Sequence, residues 1–407
     1  MLTGLLTSEG NHAAHTPCLC GQLARYYDRR SKQLLTIVGP VKLNRAYYLC
    51  PSCHQGQCPR DSELDVKGTE CSPAVRRMMA MVGSESSFDT GRAQLELLAN
   101  LKVTTKTVER QVEAIGADIA AKEQKHVAAA MQLKLPIVTG DAIPIIYIEM
   151  DGTGVPVIRS ATEGRKGKSP GEPAHTREVK LGYVFTQTTH DKKGYAIRDP
   201  ASTTYTGAIE TAAEFGGRIY LEAWNRGWSR ALLKVVIADG AEWIWNLADQ
   251  HFPAAIQIVD LYHAREHLWK VARCLFPLDR SAQSRWLLRH KPKLDGGKIE
   301  ALVKYLRSLD ALSPEAAEIL ELEAAYFVKN AERMRYPKFR SQHLFVGSGV
   351  IEAGCKTVIG KRLKQSGMFW SVPGANAIIA LRCSHLSARF ESYWEDRVAP
   401  TLFTKAA

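Results

Sequence analysis

The stretch Lys234–Leu268, KVVIADGAEWIWNLADQHFPAAIQIVDLYHAREHL, constrains the fold more than any other. It holds two short apolar runs, Val235–Ala238 and Ala255–Val259, each the length of a buried strand and each followed by an aspartate, Asp239 and Asp260. Between them Trp243, Ile244, Leu247, Ala248 and Phe252 recur at helical spacing. The segment therefore reads strand–helix–strand, the unit of a parallel sheet. Open α/β sheets bind ligands just beyond the carboxyl ends of their strands, so an aspartate there is placed for chemistry. The plainer alternative is that Asp239 only caps the helix that follows it.

A chain of 407 residues has room for two or three domains. Its net charge of +12 favours a polyanionic partner, nucleic acid first, although charge alone also suits a basic protein with no such partner. No apolar run approaches the roughly 20 residues of a membrane span, and the start, MLTGLLTSEGNHAAH, lacks the basic and apolar regions of a secretory signal. Cysteine is odd in number, nine, with Cys18, Cys20, Cys50, Cys53 and Cys58 crowded together. That pattern fits metal binding in a reducing cytoplasm better than a disulfide framework.

Cys18-Leu-Cys20 and Cys50-Pro-Ser-Cys53 flank the alternating segments QLARYY, LLTIVG and VKLNRAYYLC. Two cysteine pairs separated by β-hairpins make a zinc ribbon, in which four thiolates around structural zinc replace a core too small to fold alone. His54 and Cys58 are spare ligands, and free buried cysteines are the alternative. A redox C-x-x-C is disfavoured, because such a pair opens a helix and this one follows a strand.

From Ser72-Pro73, a cap and a first-turn proline, the chain turns helical. AQLELLANL reads as a short helix with Leu95, Leu98 and Leu101 inward. KVTT is a turn, and a second helix follows with Val108, Val112 and Ile115 inward. This is helix-turn-helix spacing, with Arg76, Arg77, Lys102, Lys106 and Arg110 as candidate DNA contacts and Gln111 also outward. An αα-hairpin without DNA shows the same stripes. Further on, IIYIEMDGTGVPV is a strand carrying Asp151 and running into a Gly-rich turn, and REVKLGYVFTQTT is a second strand. Residues 280–340 are helical throughout. GSGVIEAGCKTVIGKRLKQSGMFW follows with Glu352, the cations Lys356, Lys361, Arg362 and Lys364, and Trp370, which suits either core packing or base stacking. Asp151, Asp239 and Glu352 are three carboxylates suited to hard cations. Converging, they would hold two magnesium (or manganese) ions for a phosphodiester displacement.

The blocks CGQLARYYDRRSKQLLTIVGPVKLNRAYYLCPSC, MDGTGVPV, REVKLGYVF, RDPASTTY, DLYHAREHLW and GSGVIEAGCKTVIGKRLKQSGMFWSVPGANAIIALRC span about residues 18 to 386. On them the chain resembles insertion-sequence transposases of the ISKra type, relatives of the Mutator-like DDE transposases with an RNase H-like core. The resemblance implies a catalytic triad of Asp151, Asp239 and Glu352, a D-x-x-H motif of Asp260 and His263 in support, and a helical insertion before the glutamate. The expected fold is α/β: a zinc-ribbon-like module (1–71), a helical, helix-turn-helix-like DNA-binding region (72–135), an RNase H-like catalytic core (140–270), a helical insertion (271–340), and a C-terminal part of the core with the glutamate helix (341–407). It further implies binding of element ends and target DNA, a homodimer or higher assembly on DNA, and a nucleoid-associated place in the bacterial cytoplasm. The segment before Cys18 is shorter than the resemblance leads one to expect, as in a shortened copy.

Two other readings compete. A domesticated, catalytically inactive DNA-binding derivative would carry a broken triad, and none of its carboxylates is missing. His263-Ala-Arg-Glu266-His267 also matches H-x-x-E-H, an inverted zinc-peptidase pattern that short sequences meet by chance. For His263 alone, a hydrogen bond to a neighbouring carboxylate is the plain reading.

Overall fold

The computed structural model describes residues 12–167, 171–310, 313–347 and 354–402, with side chains as far as 397. It divides into two compact units, residues 1–119 with 388–407, and residues 120–387. Among the described residues no helix is long and apolar enough to cross a membrane.

The first unit opens with a four-stranded antiparallel sheet: β1 (His15–Pro17), β2 (Leu23–Thr36), β3 (Gly39–Leu49) and β4 (Gly56–Gln57), paired in that order. QLARYY and LLTIVG are not separate strands. Both belong to β2, with a bulge at Tyr26/Asp28 between them, because the charged run DRRSK pairs with β3 along its whole length. Helices α1 (Pro59–Glu63), α2 (Pro73–Glu85), α3 (Phe88–Ala99) and the start of α4 (Thr105–Met131) follow. Ser72 caps α2 through its hydroxyl, as the Ser-Pro pair predicts. A Cβ on Gly83 would sit 2.4 Å from Val112 Cγ2, so α2 and α4 cross at a residue with no side chain. Val108, Val112 and Ile115 are buried as expected. Leu98 is not: it is 80% exposed, while Leu95 and Leu101 are buried. The reason is Asn100, whose left-handed conformation ends α3 and swings Leu101 inward off the helical stripe.

The second unit is built on a five-stranded mixed sheet. After β5 (Ile143–Pro156) and β6 (Thr176–Gln187) come the two-residue strands β7 (Thr189–His190) and β8 (Ala196–Ile197), which pair only with each other, and β9 (Thr204–Ala208). Helix α5 (Ala212–Asn225), capped by a reciprocal Thr211–Glu214 box, leads to β10 (Ala231–Ala238), α6 (Glu242–His251) and β11 (Ile256–Val259). The sheet order is β11-β10-β5-β6-β9. Strand β6 runs antiparallel to both its neighbours β5 and β9, whereas β10 and β11 run parallel to β5. The strand–helix–strand reading of 234–268 is therefore met: Val235 to Ala238 are wholly buried, as a central strand covered on both faces requires.

Helix α7 (Leu261–Leu275) leaves β11 directly. The helices α8 (Arg280–Asp295), α9 (Ile299–Arg307), α10 (Pro314–Lys329) and α11 (Tyr336–Ser341) follow without an intervening strand among the described residues. Beyond them a π-helical turn, Cys355–Gly360, runs into Lys361–Leu363, and α12 (Val372–Leu386) closes the unit. The last helix, α13 (Phe390–Leu402), belongs to the first unit. Helix α5 packs on β6 over Gly182, where a Cβ would lie 2.4 Å from Ile219 Cδ1 and 3.2 Å from Phe215 Cζ. Gly182→Val should therefore cost about 1–3 kcal/mol in urea unfolding, as overpacking typically does; an unchanged midpoint would contradict this contact.

Candidate metal centre and thiolate cluster

Register decides what meets here: Asp239 and Asp260 lie just past the ends of β10 and β11, whereas Asp151 lies within β5, because the Gly-rich stretch expected as a turn stays extended and pairs with β6 as far as Pro156. Ile237 of β10 lies opposite Glu149 of β5, and Ala238 lies opposite Val259 of β11. Counting on from those pairs puts Asp151, Asp239 and Asp260 in one row across three neighbouring strands. Asp151 and Asp239 are each half-buried. Asp151 accepts the Gly152 amide on Oδ1 at 2.6 Å and the Cys355 thiol on Oδ2 at 3.0 Å. Burial, reinforced by the negative charge of Asp239, holds its carboxyl above the usual aspartate range, against the pull of the Cys355 and Gly152 hydrogen bonds. A carboxyl held up by burial and by a neighbouring carboxylate is the electrostatics a divalent cation relieves.

Asp239 does not cap the helix as its plainer reading expects: the N-cap is Ala241, two residues on. One oxygen accepts the Ala241 amide at 2.8 Å and shapes the turn into α6, and a carboxylate keeps lone pairs for a cation after accepting one such bond. Its backbone carbonyl accepts the Tyr326 hydroxyl at 2.9 Å. Gly240 follows at φ +101°, and a Cβ there would meet the Tyr326 ring at 2.8 Å, so only glycine fits.

Asp260 is 2% exposed and caps α7, its carboxylate taking the amides of Tyr262 at 2.7 Å and His263 at 3.0 Å. His263 faces Glu266 across one helical turn at 3.4 Å. His267 goes elsewhere: its Nδ1 meets Glu323 at 2.5 Å and its ring stacks on Tyr326 at 3.5 Å. Among the described residues neither His263, Glu266 and His267 nor Asp151, Asp239 and Asp260 form a metal-holding group of three, so the zinc-peptidase reading lacks a centre and the acidic row has no third ligand in place without Glu352. Glu352 lies outside the described residues.

Sequence reasoning missed three residues. Glu149 is fully buried, and neither of its carboxylate oxygens has a hydrogen-bond partner. Burial first, then the charge of Asp260, holds its pKa well above the usual range. The signal was available: Glu149 precedes Asp151 by two, so both side chains share a face of the strand. Cys355 and Tyr326 were signalled by nothing except their spacing from Glu352 and Glu323.

Of the cations expected to face DNA, Lys102, Lys106, Arg110, Lys356, Lys361 and Lys364 are exposed, Lys106 beside Glu109 and Lys364 against Thr153. Arg77 is exposed and paired with Glu391. Three expectations fail on burial. Arg76 is 6% exposed and held by Asp65 at 2.5 Å. Arg362 is wholly buried over the Trp370 ring, and Trp370 is itself buried with its indole nitrogen donating to Leu363. These side chains hold the fold together and present nothing to a base or a phosphate.

The four cysteines behave as the ribbon reading requires. Cys18 and Cys53 sulfurs lie 3.5 Å apart, Cys20 and Cys50 sulfurs 3.6 Å apart, and all four ligand atoms fall within 4.8 Å of one another. A tetrahedron with Zn–S bonds of about 2.3 Å has edges of about 3.8 Å, so zinc fits. Cys58 instead precedes α1, and neither it nor His54 joins the group.

No protein family matches the sequence, and no curated protein does. Among solved structures, the Drosophila P element transposase strand transfer complex matches at 11% identity over 83% of each chain, with a TM-score of 0.28. A likeness of that size carries no argument about fold or activity.

Two outcomes follow from the two sites. Elemental analysis of the purified protein should find about one zinc per chain, and Cys50→Ser with Cys53→Ser should lose it and loosen the ribbon. Folded Glu149 keeps a proton that the unfolded chain gives up above the ordinary carboxylate range. Stability should therefore fall as pH rises from about 4 towards the folded pKa, by about 1.4 kcal/mol for each unit of elevation. Glu149→Gln should remove that loss, so its advantage in chemical unfolding grows with pH; parallel profiles would refute the assignment.

Proposed function

We propose that this chain is a DNA transposase of an insertion sequence, with an RNase H-like catalytic core. In this reading it binds the terminal repeats of its element and catalyses metal-dependent strand cleavage and strand transfer. The observation that carries the reading is the in-register meeting of Asp151, within β5, and Asp239, just past the end of the parallel neighbour β10, where the charge of Asp239 helps hold the Asp151 carboxyl above its usual range. The sheet supports it too: three antiparallel strands followed by two parallel ones through helical crossovers.

Asp151, Asp239 and Glu352 would hold magnesium or manganese, and their oxygen donors suit those hard cations. Bound there, the metal pair would activate the attacking oxygen and neutralise the leaving one. The chain's own part is geometric. The Gly152 amide and the Cys355 thiol fix the two oxygens of Asp151, and the Ala241 amide and the Tyr326 hydroxyl fix Asp239 at side chain and carbonyl. Asp260 caps α7 and accepts the backbone amide of His263 in its first turn. Exposed Lys356, Lys361 and Lys364 would take backbone phosphates, with Arg77, Lys102, Lys106 and Arg110 contacting DNA in the helix-turn-helix-like region and the zinc ribbon as its structural support. A homodimer or larger assembly would bring two element ends together.

The test is cleavage of a labelled element end with and without magnesium. The intact protein should nick it only with the metal. Asp239→Asn should slow nicking by on the order of 10³ or more, the loss of several kcal/mol of charge stabilisation, while a mobility shift shows binding retained. Nicking at the original rate would overturn the site assignment. Binding without cleavage by the intact protein would instead favour the inactive, domesticated derivative.

A further inference from the structure

The turn that follows the glutamate segment is seated on β6. A Cβ on Gly354 would lie 2.1 Å from Tyr183 Cε1, so the backbone there lies flat against the Tyr183 ring and only glycine allows that approach. The next residue, Cys355, brings its sulfur within 3.0 Å of Asp151 Oδ2, and the Tyr183 hydroxyl reaches the same sulfur at 3.5 Å. Tyr183 is itself wholly buried and stands opposite Glu149 in the β5–β6 ladder, while Asp151 stands opposite Leu181. A relay therefore runs from a buried hydroxyl through a thiol to one oxygen of Asp151, and the Gly152 amide holds the other oxygen at 2.6 Å.

We infer that Cys355 is a positioning residue: its thiol, backed by Tyr183, sets the rotation of the Asp151 carboxylate. The inference rests on the proposed function, because it gives Asp151 a cation to hold. A thiol is a weak hydrogen-bond donor, but in a buried site a weak donor with a fixed seat still selects one orientation of its acceptor. Groups that orient a metal-binding carboxylate in this way are worth about 10–100-fold in metal affinity. Alanine removes the donor, whereas serine keeps one at nearly the same place.

The experiment is a manganese titration of the full-length, zinc-loaded protein followed by electron paramagnetic resonance, with thermal melts of every variant. Cys355→Ala should weaken manganese binding by about 10–100-fold. Cys355→Ser should stay close to the wild type, and Tyr183→Phe should weaken binding in the same direction but less. Unchanged affinity in Cys355→Ala overturns the inference, and so does an equal loss in the alanine and serine variants, which would mean packing alone. If Cys355→Ala fails to fold, Tyr183→Phe decides, and its unchanged affinity overturns the relay. Asp151→Asn separates the two levels. If it binds manganese like the wild type, the proposed metal site fails and the inference with it; if it loses manganese while Cys355→Ala does not, only the inference fails.

Discussion

Everything in the larger unit depends on the parallel pairing of β5 with β10. From Val235 onward that ladder is buried, and its register alone sets which side chains stand beside Asp151. A slip of one residue would turn Asp239 to the opposite face of the sheet and take Asp151's neighbour away. The hydrophobic runs that enforce the register, Ile145 to Ile148 and Val235 to Ala238, therefore do two jobs: they form the core, and they fix the spacing of two acids that would otherwise repel.

The cost of that arrangement is visible beneath it. Glu149 and Asp260 lie one row behind or beside the pair, both nearly inaccessible to water. Asp260 accepts two backbone amides at the start of α7. Glu149 has no such partner, and it is the group that yields by keeping its proton. Burying several carboxyl groups at one sheet edge is tolerable only when they differ in this way, some neutralised by hydrogen bonds or protons and some left to a cation.

The sequence announced the parts that rest on periodicity and spacing. The strand–helix–strand unit, the cap at Ser72, the ribbon cysteines and the all-helical stretch after α7 follow from local rules, and the structure contains them. What escaped was everything decided by tertiary approach. Leu98 looked inward because the stripe was extended past Asn100, which breaks it. Arg76, Arg362 and Trp370 looked like ligand contacts because a cation or an indole in a basic stretch reads as surface. Each instead turns inward onto a partner close by in the chain: Arg76 on Asp65, Arg362 on the Trp370 ring and Trp370 on the Leu363 carbonyl. Glu149 was legible in strand alternation, but Cys355 and Tyr326 were not, since their importance comes from atoms about two hundred and about ninety residues away.

Tyr326 carries a consequence for motion. It lies on α10, within the helical layer, and its hydroxyl and ring grip the carbonyl of Asp239 and the bare backbone of Gly240, while His267 of α7 stacks on its other face. Three elements of different origin are thereby fastened at one aromatic side chain. A force that tilts the helical layer, such as a long polymer pulling on its outer surface, is transmitted to the turn holding the acid with no soft joint in between. A displacement of the layer therefore reaches the Asp239 carbonyl and Gly240 through one side chain.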